Sequence, residues 1–188
     1  IHFRFGKDLV EKHGCHVTVI CNPALAPLLA RQKWVGAVAQ REAALGIYHD
    51  AWVPGMAAAL ALGYEYPDLS GAPYVSADPR KVQEWAGLTA APGKLKIGIR
   101  WAGGPAFEHQ QLRRFPPEML LGLAADPRVE LFSFQRDDNL LALPPGIRDL
   151  GPRLQTWDDT AGALANMDLV ISSCTSVAHL SAAMGRPT

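Results

Sequence analysis

One stretch of the chain concentrates residue types suited to holding an anion: Asp168-Leu169-Val170-Ile171-Ser172-Ser173-Cys174-Thr175-Ser176-Val177-Ala178-His179-Leu180. An apolar run passes into a turn of small hydroxyl residues, and a helical pattern begins there. The first backbone N–H groups of a helix have no intrahelical partner and lie at the positive end of its dipole, so such a turn can receive a phosphate. Ser173, Thr175 and Ser176 add hydroxyl donors without bulk. The same residues also suit a plain helix cap with no ligand present. His179 falls three and four residues from Ser176 and Thr175, on one helix surface with them. It is placed either to donate to an anion or to pack beneath the helix.

Two other segments have a related character. Gly103-Gly104-Pro105 lets the backbone turn tightly just after an apolar run ending at Trp101, and His109, Arg113 and Arg114 follow. The planar fork of arginine suits bidentate contact with phosphate, although a solvated basic pair would look the same. Gln135-Arg136 closes a third apolar run. Ligands of open α/β sheets bind outside the carboxyl ends of parallel strands. Three polar strand ends would therefore converge on one crevice.

The elements that must position these residues alternate in kind. An amphipathic helix is expected to end at His13 and close at Gly14, followed by a strand over His16–Cys21. Asn22-Pro23 supplies a cap and a first-turn proline for a helix over Ala24–Arg31. Short strands are expected over Val35–Ala39 and Tyr48–Val53, with a small helix over Met56–Leu62. Tyr64–Pro79 reads as a connection, Pro79–Ala86 as a linker helix, and Ala90-Ala91-Pro92-Gly93 as a domain boundary. Strands then follow over Leu95–Trp101, Val129–Phe134, Ile147–Leu150 and Asp168–Ser172. Helices are expected over Pro116–Ala125, from Asp158 to Met167, and over Thr175–Met184, the last closed by Gly185. This rhythm is that of a doubly wound α/β protein with parallel sheets.

Of the 188 residues, 48% are hydrophobic, a share adequate for one large domain or two small ones. The 18 basic and 18 acidic side chains cancel. That balance argues against a nucleic-acid or membrane-surface role, so an anionic ligand would have to be held by local groups. Cys15, Cys21 and Cys174 make no disulfide framework or metal-ligand spacing, as expected for reduced thiols in a cytoplasmic protein. No apolar run approaches the roughly 20 residues of a membrane span. The first residues have no signal-peptide layout, and the absence of a starting Met leads us to expect a piece of a longer product.

Residues 95–188 resemble the catalytic region of bacterial tetratricopeptide-repeat glycosyltransferases, which are related to the heptosyltransferase family and more distantly to protein O-GlcNAc transferases. The resemblance is carried by Ile97-Gly98-Ile99-Arg100-Trp101-Ala102-Gly103-Gly104-Pro105, Arg113-Arg114-Phe115-Pro116 and Phe132-Ser133-Phe134-Gln135. It continues through Trp157-Asp158-Asp159-Thr160-Ala161, Met167-Asp168-Leu169-Val170-Ile171-Ser172 and Thr175-Ser176-Val177-Ala178-His179-Leu180, with Gly185-Arg186-Pro187. Cys174 stands where members of the family carry Asp.

The resemblance implies a GT-B-like α/β fold of two Rossmann-like lobes, truncated at both ends. Residues 1–91 would form the acceptor-side lobe and 92–188 the donor-side lobe. It implies metal-independent, inverting transfer of a sugar from a nucleoside-diphosphate sugar to an unknown glycan or protein acceptor, with no cofactor besides that co-substrate. Thr175, Ser176, His179, Arg113, Gln135, Gly103 and Gly104 would hold the donor diphosphate. No catalytic base is assigned. A non-catalytic nucleotide-sugar-binding or scaffold module, or a nucleotide-sugar epimerase of the same fold, is the alternative.

Overall fold

The computed structural model describes residues 2–104, 112–136 and 143–188. The chain divides into two compact units, Ile1–Ser76 and Ala77–Thr188.

In the first unit, helix α1 (Arg4–His13) ends at Gly14, whose φ of 66° is the left-handed conformation that glycine adopts without steric cost. The N–H of Gly14 then reaches Val10 O and that of Cys15 reaches Leu9 O. Strands β1 (Thr18–Ile20) and β2 (Ala37–Ala39) pair in parallel as a two-stranded sheet. Between them Asn22 Oδ1 accepts from Ala24 N at 2.9 Å and caps the expected helix start. That helix is broken into a 3₁₀ turn, Pro23–Leu25, and a short α2 (Ala26–Ala30). Pro27 explains the break, since it has no N–H to continue an i→i−4 ladder. Met56–Leu62 divides similarly into a 3₁₀ turn, Gly55–Ala57, and α3 (Ala58–Ala61).

The strand expected over Tyr48–Val53 does not form. Tyr48 and Trp52 are exposed, and local bonds such as His49 Nδ1 with Ile47 O at 2.7 Å replace ladder pairing. A β-branched or aromatic run makes a strand only when a partner and a buried face are available.

The second unit begins earlier than the expected boundary at 91/92. Helix α4 (Pro79–Leu88) is capped by Asp78, whose Oδ1 accepts from Arg80 N at 2.9 Å. It belongs to this unit because it packs on helix α6 (Trp157–Ala165). Gly162 of α6 lies so close that an added Cβ would sit 2.8 Å from Lys81 Cβ and 2.9 Å from its backbone. Asn166 Nδ2 donates to Val82 O at 2.9 Å, and Trp85 is 1% exposed. A segment read as a linker is thus one wall of the domain core.

The sheet holds β3 (Leu95–Arg100), β4 (Val129–Ser133), β5 (Ile147–Asp149) and β6 (Leu169–Ser172), all parallel, in the order β5-β4-β3-β6. Ile97 and Ile99 of β3 face a core with Trp101, Leu120, Leu131 and Ile147. On the opposite face Gly98 leaves room for Phe134, whose ring would lie 2.8 Å from an added Cβ. The expected helix over Pro116–Ala125 is a 3₁₀ turn, Pro117–Leu120, leading into α5 (Leu121–Ala124). Helix α7 (Ser176–Ala183) follows β6 and is terminated by Gly185 at φ 73°. Successive strands move outward from β3 to β5, and the chain then returns to place β6 on the other side of β3. The loops after β3 and β6 therefore diverge, and a crevice opens between them, as at the switch point of doubly wound sheets.

Candidate donor-phosphate cavity

A cavity of about 410 Å³ lies at that switch point. Its lining includes Arg100, Gly103 and Gly104 from the end of β3, Phe134 and Arg136 from the end of β4, and Cys174, Thr175, Ser176, Val177 and His179 from the β6–α7 turn. The three expected strand ends do meet. Arg113, from the segment after the β3 loop, joins them and donates from Nη2 to Cys174 O at 2.5 Å. This bond ties the β3 side of the crevice to the start of α7.

Two helices begin beside this cavity, and they differ. The start of α6 is closed by a reciprocal capping box: Thr156 Oγ1 accepts from Asp159 N at 3.0 Å, and Asp159 Oδ2 accepts from Thr156 N at 2.8 Å. Asp159 also pairs with Lys81 at 2.9 Å. Burial pushes its carboxyl up, but the hydrogen bonds from Lys81 and Thr156 outweigh that and hold it below the usual carboxylate range. Thr175 occupies the cap position of α7 with extended backbone, yet its hydroxyl bonds Ser172 Oγ at 3.0 Å and no side chain caps the helix. The Ser173 hydroxyl is buried without a partner. The plain-cap use of Thr175 is therefore not realised.

Ser176 is exposed at the rim as the first residue of α7. His179 lies one turn further on with part of its surface in solvent. Burial lowers its pKa below the ordinary imidazole value and the Arg113 charge adds to the effect, so at pH 7 the ring is neutral and can donate one N–H. Gly104 has open space around it, since an added Cβ would meet nothing within 4 Å. Gln135 stands apart from the lining. It is buried, and its Oε1 accepts from Ala102 N at 3.1 Å, which braces the β3 loop against the end of β4. The strand-end side chain that does reach the cavity is its neighbour, Arg136. His109 and Pro105 lie outside the described residues.

Some lining residues were not singled out for a role in the sequence. Arg100 is anchored from Nε to Ala102 O and from Nη1 to Phe134 O, both at 3.0 Å, and forms part of the cavity wall. A charged residue closing an apolar strand at its carboxyl end was the available signal. Trp157 and Thr160 project from the first turn of α6, and Leu154 from the turn before it. Because the sheet order was not readable, nothing placed them beside α7.

No family model and no curated protein matches the chain. Among solved structures it is similar to that of E. coli ADP-heptose lps heptosyltransferase II, with a TM-score of 0.68 at 16% sequence identity over 99% of this chain and 78% of that one. No helix among the described residues is long and apolar enough to cross a membrane. The chain thus has the α/β, parallel-sheet fold of a GT-B glycosyltransferase, and its cavity lies at the carboxyl edge of the second unit's sheet.

Proposed function

We propose that the chain transfers a sugar from a nucleoside-diphosphate sugar to an acceptor, with the donor diphosphate held in the cavity of the second unit. The observation that carries this reading is the uncapped start of α7 at the sheet's switch point, facing a wall that contains Arg100, Arg113 and Arg136 and, among the described residues, no carboxylate. Backbone N–H groups of Ser176 and its successors, the Ser176 hydroxyl, neutral His179 and Arg113 would hold the phosphate oxygens. Thr175 keeps the turn in shape through Ser172. Gly103 and Gly104 let the backbone come close, and Gln135 acts behind them by bracing the loop. An acceptor oxygen attacks the anomeric carbon as the diphosphate departs, and the configuration inverts. Fixed donors aimed at the growing negative charge lower the barrier without reorganising. Guanidinium groups and helix dipole supply the neutralisation that a divalent ion would otherwise provide. The first unit is assigned the acceptor.

The test is titration calorimetry with ADP, GDP and UDP, in EDTA and in Mg²⁺, on the chain and on Arg113→Ala. We expect at least one nucleotide to bind equally well with and without metal. Arg113→Ala should lose about 1.5–3 kcal/mol, the worth of a charged hydrogen bond. Incubation with the matching nucleotide sugar should slowly release the nucleoside diphosphate and the free sugar, with water as the acceptor. Binding to none of the three, or only with Mg²⁺, contradicts the proposal.

A further inference from the structure

The cavity has two walls of different chemistry. The wall at β6 and α7 carries the hydroxyl, imidazole and N–H groups already described. Across β3, the end of β4 and the approach to α6 contribute Phe134, Leu154 and Trp157. Phe134 and Leu154 are almost fully buried, at 0% and 1% exposure, whereas Trp157 is half-buried and presents surface to the cavity. Their place beside β4 is fixed by backbone contacts. Leu150 N donates to Ser133 O at 3.1 Å, and Gly151 lies so close to the Gln135 carbonyl that no side chain would fit. The strand order puts β4 and β6 on opposite sides of β3. The two walls are therefore separated by two strand spacings, about 10 Å.

Trp157 is also well anchored. It is the first residue of α6, set between the members of the Thr156–Asp159 capping box, which Lys81 of α4 clamps from behind. We propose that Trp157 is the platform on which the donor's nucleobase stacks. This inference rests on the donor reading above and names the part of the donor that the aromatic wall receives. A base offers a flat π-face and needs little else from such a wall, and stacking of this kind tolerates different bases. A sugar would need hydroxyl partners. The Thr160 hydroxyl on this wall donates to Thr156 O at 3.1 Å, and among the described residues Arg136 is the other polar side chain there.

Inorganic pyrophosphate tests the α7 wall alone, ADP and UDP test both walls, and a UDP- or ADP-sugar adds the sugar. All are titrated against the unaltered chain, Trp157→Phe and Trp157→Ala. The chain should bind ADP or UDP roughly tenfold or more tighter than pyrophosphate, the scale of one base stacked on an aromatic ring. Trp157→Ala should lose that margin and keep its pyrophosphate affinity, which also shows that it is folded, and Trp157→Phe should keep most of the margin. Equal nucleotide affinity in the unaltered chain and Trp157→Ala overturns the proposal. So does a loss confined to the nucleotide sugar, which would make this the sugar wall. A parallel loss for pyrophosphate would show that Trp157 only supports α7, again overturning it. An unaltered chain that binds pyrophosphate but no nucleotide more tightly overturns the base platform alone, whereas one that binds neither overturns the donor reading as well.

Discussion

Helices α6 and α7 start at the same cavity and are equipped in opposite ways. At α6 the protein supplies its own anion: the Asp159 carboxylate fills the positive end of the helix, caps its first turn and is held by Lys81. At α7 the cap residue turns its hydroxyl to Ser172, and Arg113 binds the preceding carbonyl. One helix start is closed by side chains, and the other has no side-chain cap. A capped terminus gains stability from the cap, and an open one keeps its N–H groups available for binding.

The largest expected effect comes from the capped end. Asp159→Ala removes the capping box and leaves Lys81 without its buried partner, and we expect a loss of about 2–3 kcal/mol in urea denaturation. Because Lys81 keeps access to water, the cost falls short of that of a wholly buried pair. The carboxyl pKa is lower in the folded chain than in the unfolded one, so Asp159 contributes its full stability above the ordinary carboxylate range. That contribution disappears as the pH falls below about 4 toward the depressed value. A denaturation series from pH 6 to pH 2 should show the fall in the unaltered chain and its attenuation in Asp159→Asn.

A single substitution makes the start of α7 resemble that of α6. Ser176→Asp places a carboxylate in the first turn of α7. We expect stability to rise by about 0.3–1 kcal/mol from the helix dipole while pyrophosphate affinity falls at least roughly tenfold. If both stability and affinity were unchanged, the start of α7 would not be an anion site. A smaller effect is expected at Gly104. Because a Cβ there meets nothing within 4 Å, Gly104→Ala should leave the melting temperature unaltered and weaken nucleotide binding severalfold by projecting into the cavity. A lowered melting temperature with intact binding would make Gly104 a folding residue.

The smallest effect concerns His179. Its pKa is lowered in the folded chain, so protonation is favoured in the unfolded state and costs a little stability as pH drops below about 6.5. Pyrophosphate affinity should instead rise over the same interval, as the imidazole gains a charge facing the anion. His179→Gln should retain part of the affinity at pH 7.5 and lose that rise, as read by calorimetry at both pH values.

Much of the second unit was legible in the sequence because its signals are local. The apolar run from Asp168 to Ser172 and the hydroxyl turn after it depend on no distant partner, and the Gly185 terminator, like Gly14 in the first unit, depends only on backbone conformation. Where tertiary partners decide, the reading diverged. Tyr48–Val53 has strand composition but no ladder to join. Pro79–Ala86 looked like a linker helix because its contact with Gly162 and Asn166 crosses some eighty residues. Gln135 was rightly placed at a polar strand end, but only the structure shows its carboxamide turned to Ala102 N, with Arg136 facing the cavity. Trp157 needed the sheet order before it could be set opposite α7.

Amide chemical shifts during an ADP titration of the ¹⁵N-labelled chain read both helix starts in one spectrum. The largest shifts are expected at Ser176, Val177 and Ala178, accompanied by Gly103 and Gly104, with the capped amide of Asp159 little changed. Shifts led by Asp159, or absent from Ser176–Ala178 at saturating ADP, would contradict a diphosphate site at the start of α7.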